Sequence, residues 1–159
     1  MVNLNFENPT WSASAFNFGA GSFAFLDEMP DAGGLFPSGG PTHPSPSNMF
    51  IQSDQNTHVH VGFNVSGWVV TLMSGTWKAQ VFLEKQGSGE VVTAPFVGTT
   101  PHAPGAPSTK NVNINVNIPN LSEGLYRVSL MITFEQNGGM KLPFAASTEI
   151  GLLTVFNAS

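Results

Sequence analysis

The stretch Asn111 to Ile118 reads NVNINVNI, and its strict alternation decides the class of fold. Successive side chains of an extended strand point to opposite faces, so Val112, Ile114, Val116 and Ile118 share one face and Asn111, Asn113, Asn115 and Asn117 the other. Asparagine is a poor strand former, so the aliphatic row must be buried for this strand to form. The same period of two runs from Thr57, where Val59, Val61, Phe63 and Val65 oppose His58, His60, Gly62 and Asn64. It returns in Thr76 to Lys85, with Trp77, Ala79, Val81 and Leu83 on one side. Leu125 to Glu135 repeats it with Tyr126, Val128, Leu130, Ile132 and Phe134 inward, and Asn137-Gly138 then forms a hairpin turn into Thr148 to Phe156.

Two further segments read less regularly. Trp68 to Met73 predicts a strand joined to the next through Ser74-Gly75, and Val91 to Thr93 another behind a turn at Gly87-Ser88-Gly89. Residues 95 to 109, PFVGTTPHAPGAPST, carry four prolines and predict a long loop. No window sustains a 3.6-residue period with caps, so helices longer than one turn are not expected. The expected fold is all-β, an antiparallel sandwich of about seven or eight strands over residues 48–159.

Between the third and fourth alternating segments stands Leu121-Ser122-Glu123-Gly124-Leu125-Tyr126-Arg127-Val128. This Leu-x-x-Gly-x-Tyr-x-Val pattern resembles the tyrosine corner of immunoglobulin-like and fibronectin type III-like sandwiches. The resemblance implies that Gly124 turns the chain into the penultimate strand and that the Tyr126 hydroxyl bonds back to upstream backbone. Trp77 resembles the core tryptophan of such domains. The resemblance covers roughly residues 48–157 and implies fold alone, because these sandwiches host adhesion, binding and scaffolding alike. The cysteine pair of antibody domains is absent, since the chain has no cysteine.

Residues 1–47 differ in composition, being rich in Gly, Pro, Ser, Ala and Phe, and read as an extended arm. Disordered tails are poor in aromatics, yet Phe6, Trp11, Phe16, Phe18, Phe23, Phe25 and Phe36 lie here. Phe16 with Phe18, and Phe23 with Phe25, recur every second residue as in a strand with one buried face. Their rings pack either along the sheets of their own domain or onto a neighbouring chain. Trp11, Phe16, Phe18, Phe23, Phe25 and Phe36 are the candidate interface residues of the second alternative.

Charge and chemistry narrow the function. Only 9% of residues are charged, the net charge is -5, and no Lys or Arg precedes Lys78. Nucleic acid and anionic membrane both require a basic footprint, so neither is an expected partner, and no apolar run approaches a spanning helix. Met1 to Thr10 lacks the apolar core of an export signal, which favours a cytoplasmic or particle-associated setting. His58 and His60 have metal-ligand spacing but lack a following Glu and a third His, so they are weak metal candidates and no cofactor is expected. Asp27, Glu28 and Asp31 lack the alternating ligands of a calcium loop. Glu84 and Glu90 flank a hairpin as glycosidase carboxylates would, and hairpin solubility explains them equally well. The expectation is a protein without enzymatic activity: a structural or protein-interaction subunit that assembles through its sandwich and its aromatic N-terminal arm, forming a homo-oligomer or joining a protein partner. The alternative is a carbohydrate or small-ligand module, using Trp11, Trp68 or Phe82 as stacking platforms beside the Asn111 to Asn117 row.

Overall fold

A computed structural model of the protein describes residues 2–7, 12–28, 49–87, 94–105 and 107–157. Among the described residues ten strands run in chain order: β1 (Asn5–Glu7), β2 (Asn17–Phe18), β3 (Phe23–Glu28), β4 (Phe50–Gln52), β5 (Thr57–Ser66), β6 (Gly75–Lys85), β7 (Phe96–His102), β8 (Thr109–Ile118), β9 (Gly124–Gln136) and β10 (Lys141–Phe156). They form two sheets, as a β-sandwich. Three strands are only two or three residues long; of the other seven, β5, β6, β8, β9 and β10 match the strand segments read from the sequence and β3 carries the Phe23 and Phe25 pair, whereas β7 falls in the stretch read as a loop.

The six-stranded sheet has the order β1-β10-β9-β6-β7, with β4 also beside β10. All its pairings are antiparallel except that of β4, which runs parallel to Thr154–Phe156. In the four-stranded sheet β8 pairs with β5 along the whole of Thr57–Ser66, so β2 and β3 must share the opposite edge of β5.

The alternating rows meet between the sheets. Val59, Val61, Phe63 and Val65 of β5 and Val112, Ile114, Val116 and Ile118 of β8 are buried against Trp77, Ala79, Val81 and Leu83 of β6 and the alternate residues Tyr126, Val128, Leu130, Ile132 and Phe134 of β9. Burial of these side chains is the main stabilising term for such a fold, at about 25 cal/mol per Å² of apolar surface. The sheets also meet along their edges. Val2 exchanges two 3.0 Å backbone bonds with Ala24 of β3, and three residues later β1 pairs with Ala145–Ser147 of β10. On the other side the Asn115 carbonyl of β8 occupies the space where a Cβ at Gly98 of β7 would lie, so only glycine permits this approach.

Two expectations need correction. Trp68–Thr71 is a 3-10 turn, because the chain leaves the four-stranded sheet after β5 and must cross to the other sheet to begin β6. The proline-rich stretch begins with β7, which bonds to β6 and takes an edge position in its sheet. Pro101 is compatible with that edge, where a missing N–H breaks no central ladder. Val91 to Thr93 and the tip of the preceding turn lie outside the described residues.

The 1–47 stretch supplies β1, β2 and β3. Phe16 is 3% exposed, with its ring stacked on Phe144 at 4.2 Å between centroids. Phe18 stacks on Phe6 at 3.9 Å and meets Phe63 and Trp77 edge-on. Both rings therefore belong to the core of their own chain. The cause is that β2 pairs with Val65 and Ser66, which aims Phe18 over the β5 core row.

Candidate functional site

The outer face of the four-stranded sheet carries the side chains that point away from the core. The ladder aligns Phe25 with His60 and His60 with Asn115, then Phe23 with Gly62 and Gly62 with Asn113. Phe23 and Phe25 are half-buried and stacked at 5.7 Å, and the Phe23 ring fills the space that a Cβ at Gly62 would need. Phe25 lies 4.9 Å from the His60 ring, and His60 stands edge-on to His58 at 4.1 Å. Four rings thus form a continuous strip beside the exposed amides of Asn111, Asn113, Asn115 and Asn117.

The two histidines are joined through their Nε2 atoms, and His60 Nδ1 lies 2.6 Å from Asn115 Oδ1. An amide oxygen only accepts, so His60 Nδ1 carries the hydrogen and its Nε2 holds a lone pair. In the neutral pair His58 Nε2 is then the donor between the rings.

A second surface lies on the outer face of the six-stranded sheet. Thr154 of β10 is aligned with Leu125 of β9 on one side and Phe50 of β4 on the other. Leu152 and Phe156 stand two residues before and after it. Phe50 is 60% exposed, Leu152 50%, Phe156 41% and Leu125 39%. Arg127, beside Leu152 in the ladder, approaches Glu84 at 3.5 Å and Glu149 at 3.9 Å and borders this patch with charge. Exposed pairs of this kind add little stability.

The carbohydrate candidates are not brought together. Trp68 is exposed on the 3-10 turn, Phe82 is half-buried on the six-stranded sheet, and the asparagine row is on the other sheet. Trp11, Phe36, Asp31 and Glu90 lie outside the described residues. Glu84 is held by Arg127, and Asp27 and Glu28 belong to β3 rather than to a loop.

His102 is a buried histidine that the sequence placed in a loop. Trp77 Nε1 donates to its Nδ1 at 3.2 Å, and its Nε2 donates to the Val70 carbonyl at 3.0 Å. Burial above all, with Lys110 adding to it and the Val70 bond opposing it, holds its pKa below the usual histidine value. Both ring nitrogens are occupied by core groups, so this histidine has a structural position. Among the described residues no group of three or more His, Asp or Glu side chains is placed to hold a metal, and no helix is long and apolar enough to cross a membrane. No protein-family model and no curated protein matches the chain.

Proposed function

We propose that the chain is a non-catalytic structural or protein-interaction subunit, built on an immunoglobulin-like sandwich, that self-associates through the outer face of its six-stranded sheet. The superfamily reading is supported by the Tyr126 hydroxyl, which donates to the Ser122 carbonyl four residues upstream at 2.8 Å, and by the buried Trp77. The observation that carries the interaction reading is the apolar cluster of Phe50, Leu125, Leu152 and Phe156 around Thr154. Contiguous exposed apolar side chains rimmed by polar ones mark association surfaces. A second copy is the occupant proposed, because a two-fold axis sets the same patch against itself and leaves no unmatched surface. With only 9% charged residues, little repulsion opposes that contact.

Sedimentation velocity over a concentration series tests this. The wild-type chain is expected to shift to a dimer or larger species as concentration rises, and Leu152→Lys with Phe156→Lys to remain monomeric. A wild-type chain that is monomeric throughout would overturn self-association.

A second reading, a carbohydrate-binding module, is favoured by the ring strip of Phe23, Phe25 and His60 beside the asparagine row. Flat rings stack on sugar faces, and amides both donate to and accept from hydroxyls. A glycan array with no binder would retire it.

A further inference from the structure

We propose that His58 and His60 form a two-imidazole chelate for a divalent transition-metal ion, a site that goes beyond the interaction reading and does not depend on it. Sequence spacing alone makes the pair only weak metal candidates, because no following Glu or third His accompanies them. The structure adds three facts. The Nε2 atoms converge on one another instead of diverging into solvent. Asn115, from the neighbouring strand, takes the Nδ1 hydrogen of His60 and thereby commits its Nε2 lone pair toward the shared space. Phe25 packs against the His60 ring at 4.9 Å and restricts its rotation.

This is the arrangement that metal-binding histidines require. The metallated nitrogen is fixed by the hydrogen bond made at the other, and a carbonyl oxygen partner raises its basicity. Two ligands fixed before binding also lose less rotamer freedom when the ion arrives. At present one hydrogen, on His58 Nε2, occupies the space between the two nitrogens. A cation replaces it: His58 releases that hydrogen from Nε2 and carries one on Nδ1 in the bound form, so both imidazoles remain neutral and both Nε2 lone pairs face the ion. Water completes the coordination shell. Neutral imidazole suits Cu2+ and Zn2+ and not the hard ions Mg2+ or Ca2+, and the Irving–Williams order puts Cu2+ ahead. Phe23, Phe25 and the asparagine amides bring no positive charge to this face to oppose a cation.

Isothermal titration of the full chain with CuCl2, ZnCl2 and MgCl2, with the imidazole signals followed by NMR, tests the site. The expected result is one equivalent of Cu2+ or Zn2+ bound, shifts confined to His58, His60 and Asn115, and no response to Mg2+. His60→Ala should abolish this binding, and Asn115→Ala should weaken it on the order of ten- to a hundredfold, as loss of a histidine-orienting partner does. Melting curves of the metal-free variants establish that each is folded, and Asn115→Ala carries the test if His60→Ala is not. Failure to saturate at millimolar Cu2+ and Zn2+ would overturn the proposal, as would unchanged affinity in a folded His60→Ala chain. Sedimentation of the metal-free chain reports on self-association separately, so either idea can fail alone.

Discussion

Trp77 Nε1 donates to Nδ1 of His102 across 3.2 Å, and through that ring the β6 core is connected to the Val70 carbonyl on the crossover between the sheets. Both bonds need the neutral imidazole, with its hydrogen on Nε2 and a lone pair on Nδ1. Protonation would set two N–H groups against each other at Trp77.

A pH dependence follows from this geometry. The pKa of folded His102 is lowered, chiefly by burial, whereas the unfolded chain titrates near the ordinary 6.5. Its contribution to stability is therefore full above the unfolded value and is lost as pH falls through the lower folded value. Urea unfolding of wild type and His102→Phe across this range should show a wild-type stability loss on acidification that the variant lacks. At neutral pH the variant should be less stable by about 1–3 kcal/mol, since Trp77 Nε1 and the Val70 carbonyl are left unpaired in the core. Parallel acid profiles for both proteins would contradict the assignment.

Tyr126→Phe is expected to cost roughly 1–2 kcal/mol, because the Ser122 carbonyl loses its donor in a half-buried corner. The Ser122 hydroxyl loses a 2.8 Å partner as well, although Lys85 still donates to it at 3.1 Å. Chemical denaturation of the two proteins measures the difference directly.

Trp77→Ala should cost more, about 3–5 kcal/mol, by emptying core volume where the indole meets Phe63 at 5.1 Å and Phe134 at 4.8 Å. A melting temperature equal to that of wild type would mean that this ring does not hold the two sheets together.

Much of the fold was legible because burial on one face leaves an unambiguous period. Asn111 to Ile118 appears as Thr109–Ile118, and Leu125 to Glu135 as Gly124–Gln136. β7 was hidden because prolines argue against central strands and sequence does not mark which strand is an edge. The crossover at Trp68–Thr71 was hidden because a short apolar run has no periodicity to separate turn from strand. The candidate sites depend on longer relationships. The His58 and His60 spacing is visible locally, but Asn115 reaches His60 from 55 residues away. The cluster at Phe50, Leu125, Leu152 and Phe156 exists only through the registers of β4 and β9 on β10, which no local pattern records.

Among the described residues of the first 28 positions, Phe16 on one side and Phe23 with Phe25 on the other form two groups whose substitution should differ. Phe16 is 3% exposed and stacked on Phe144, so Phe16→Ala leaves a cavity in the sandwich and should cost about 3–5 kcal/mol. Phe23 and Phe25 lie on the outer face, where solvent reaches the vacated space and no sealed cavity forms. Phe25→Ala should therefore cost about 1 kcal/mol, in line with partial loss of a buried ring surface. Urea unfolding gives both values, and sedimentation velocity on the same samples reads the assembly state. If Phe16 anchored a neighbouring chain instead of its own core, its replacement would dissociate an assembly and leave monomer stability unchanged. A folded monomer with a large stability deficit is the expected outcome, because β2 pairs with Val65 and Ser66 of its own chain and brings Phe16 against Phe144 from within.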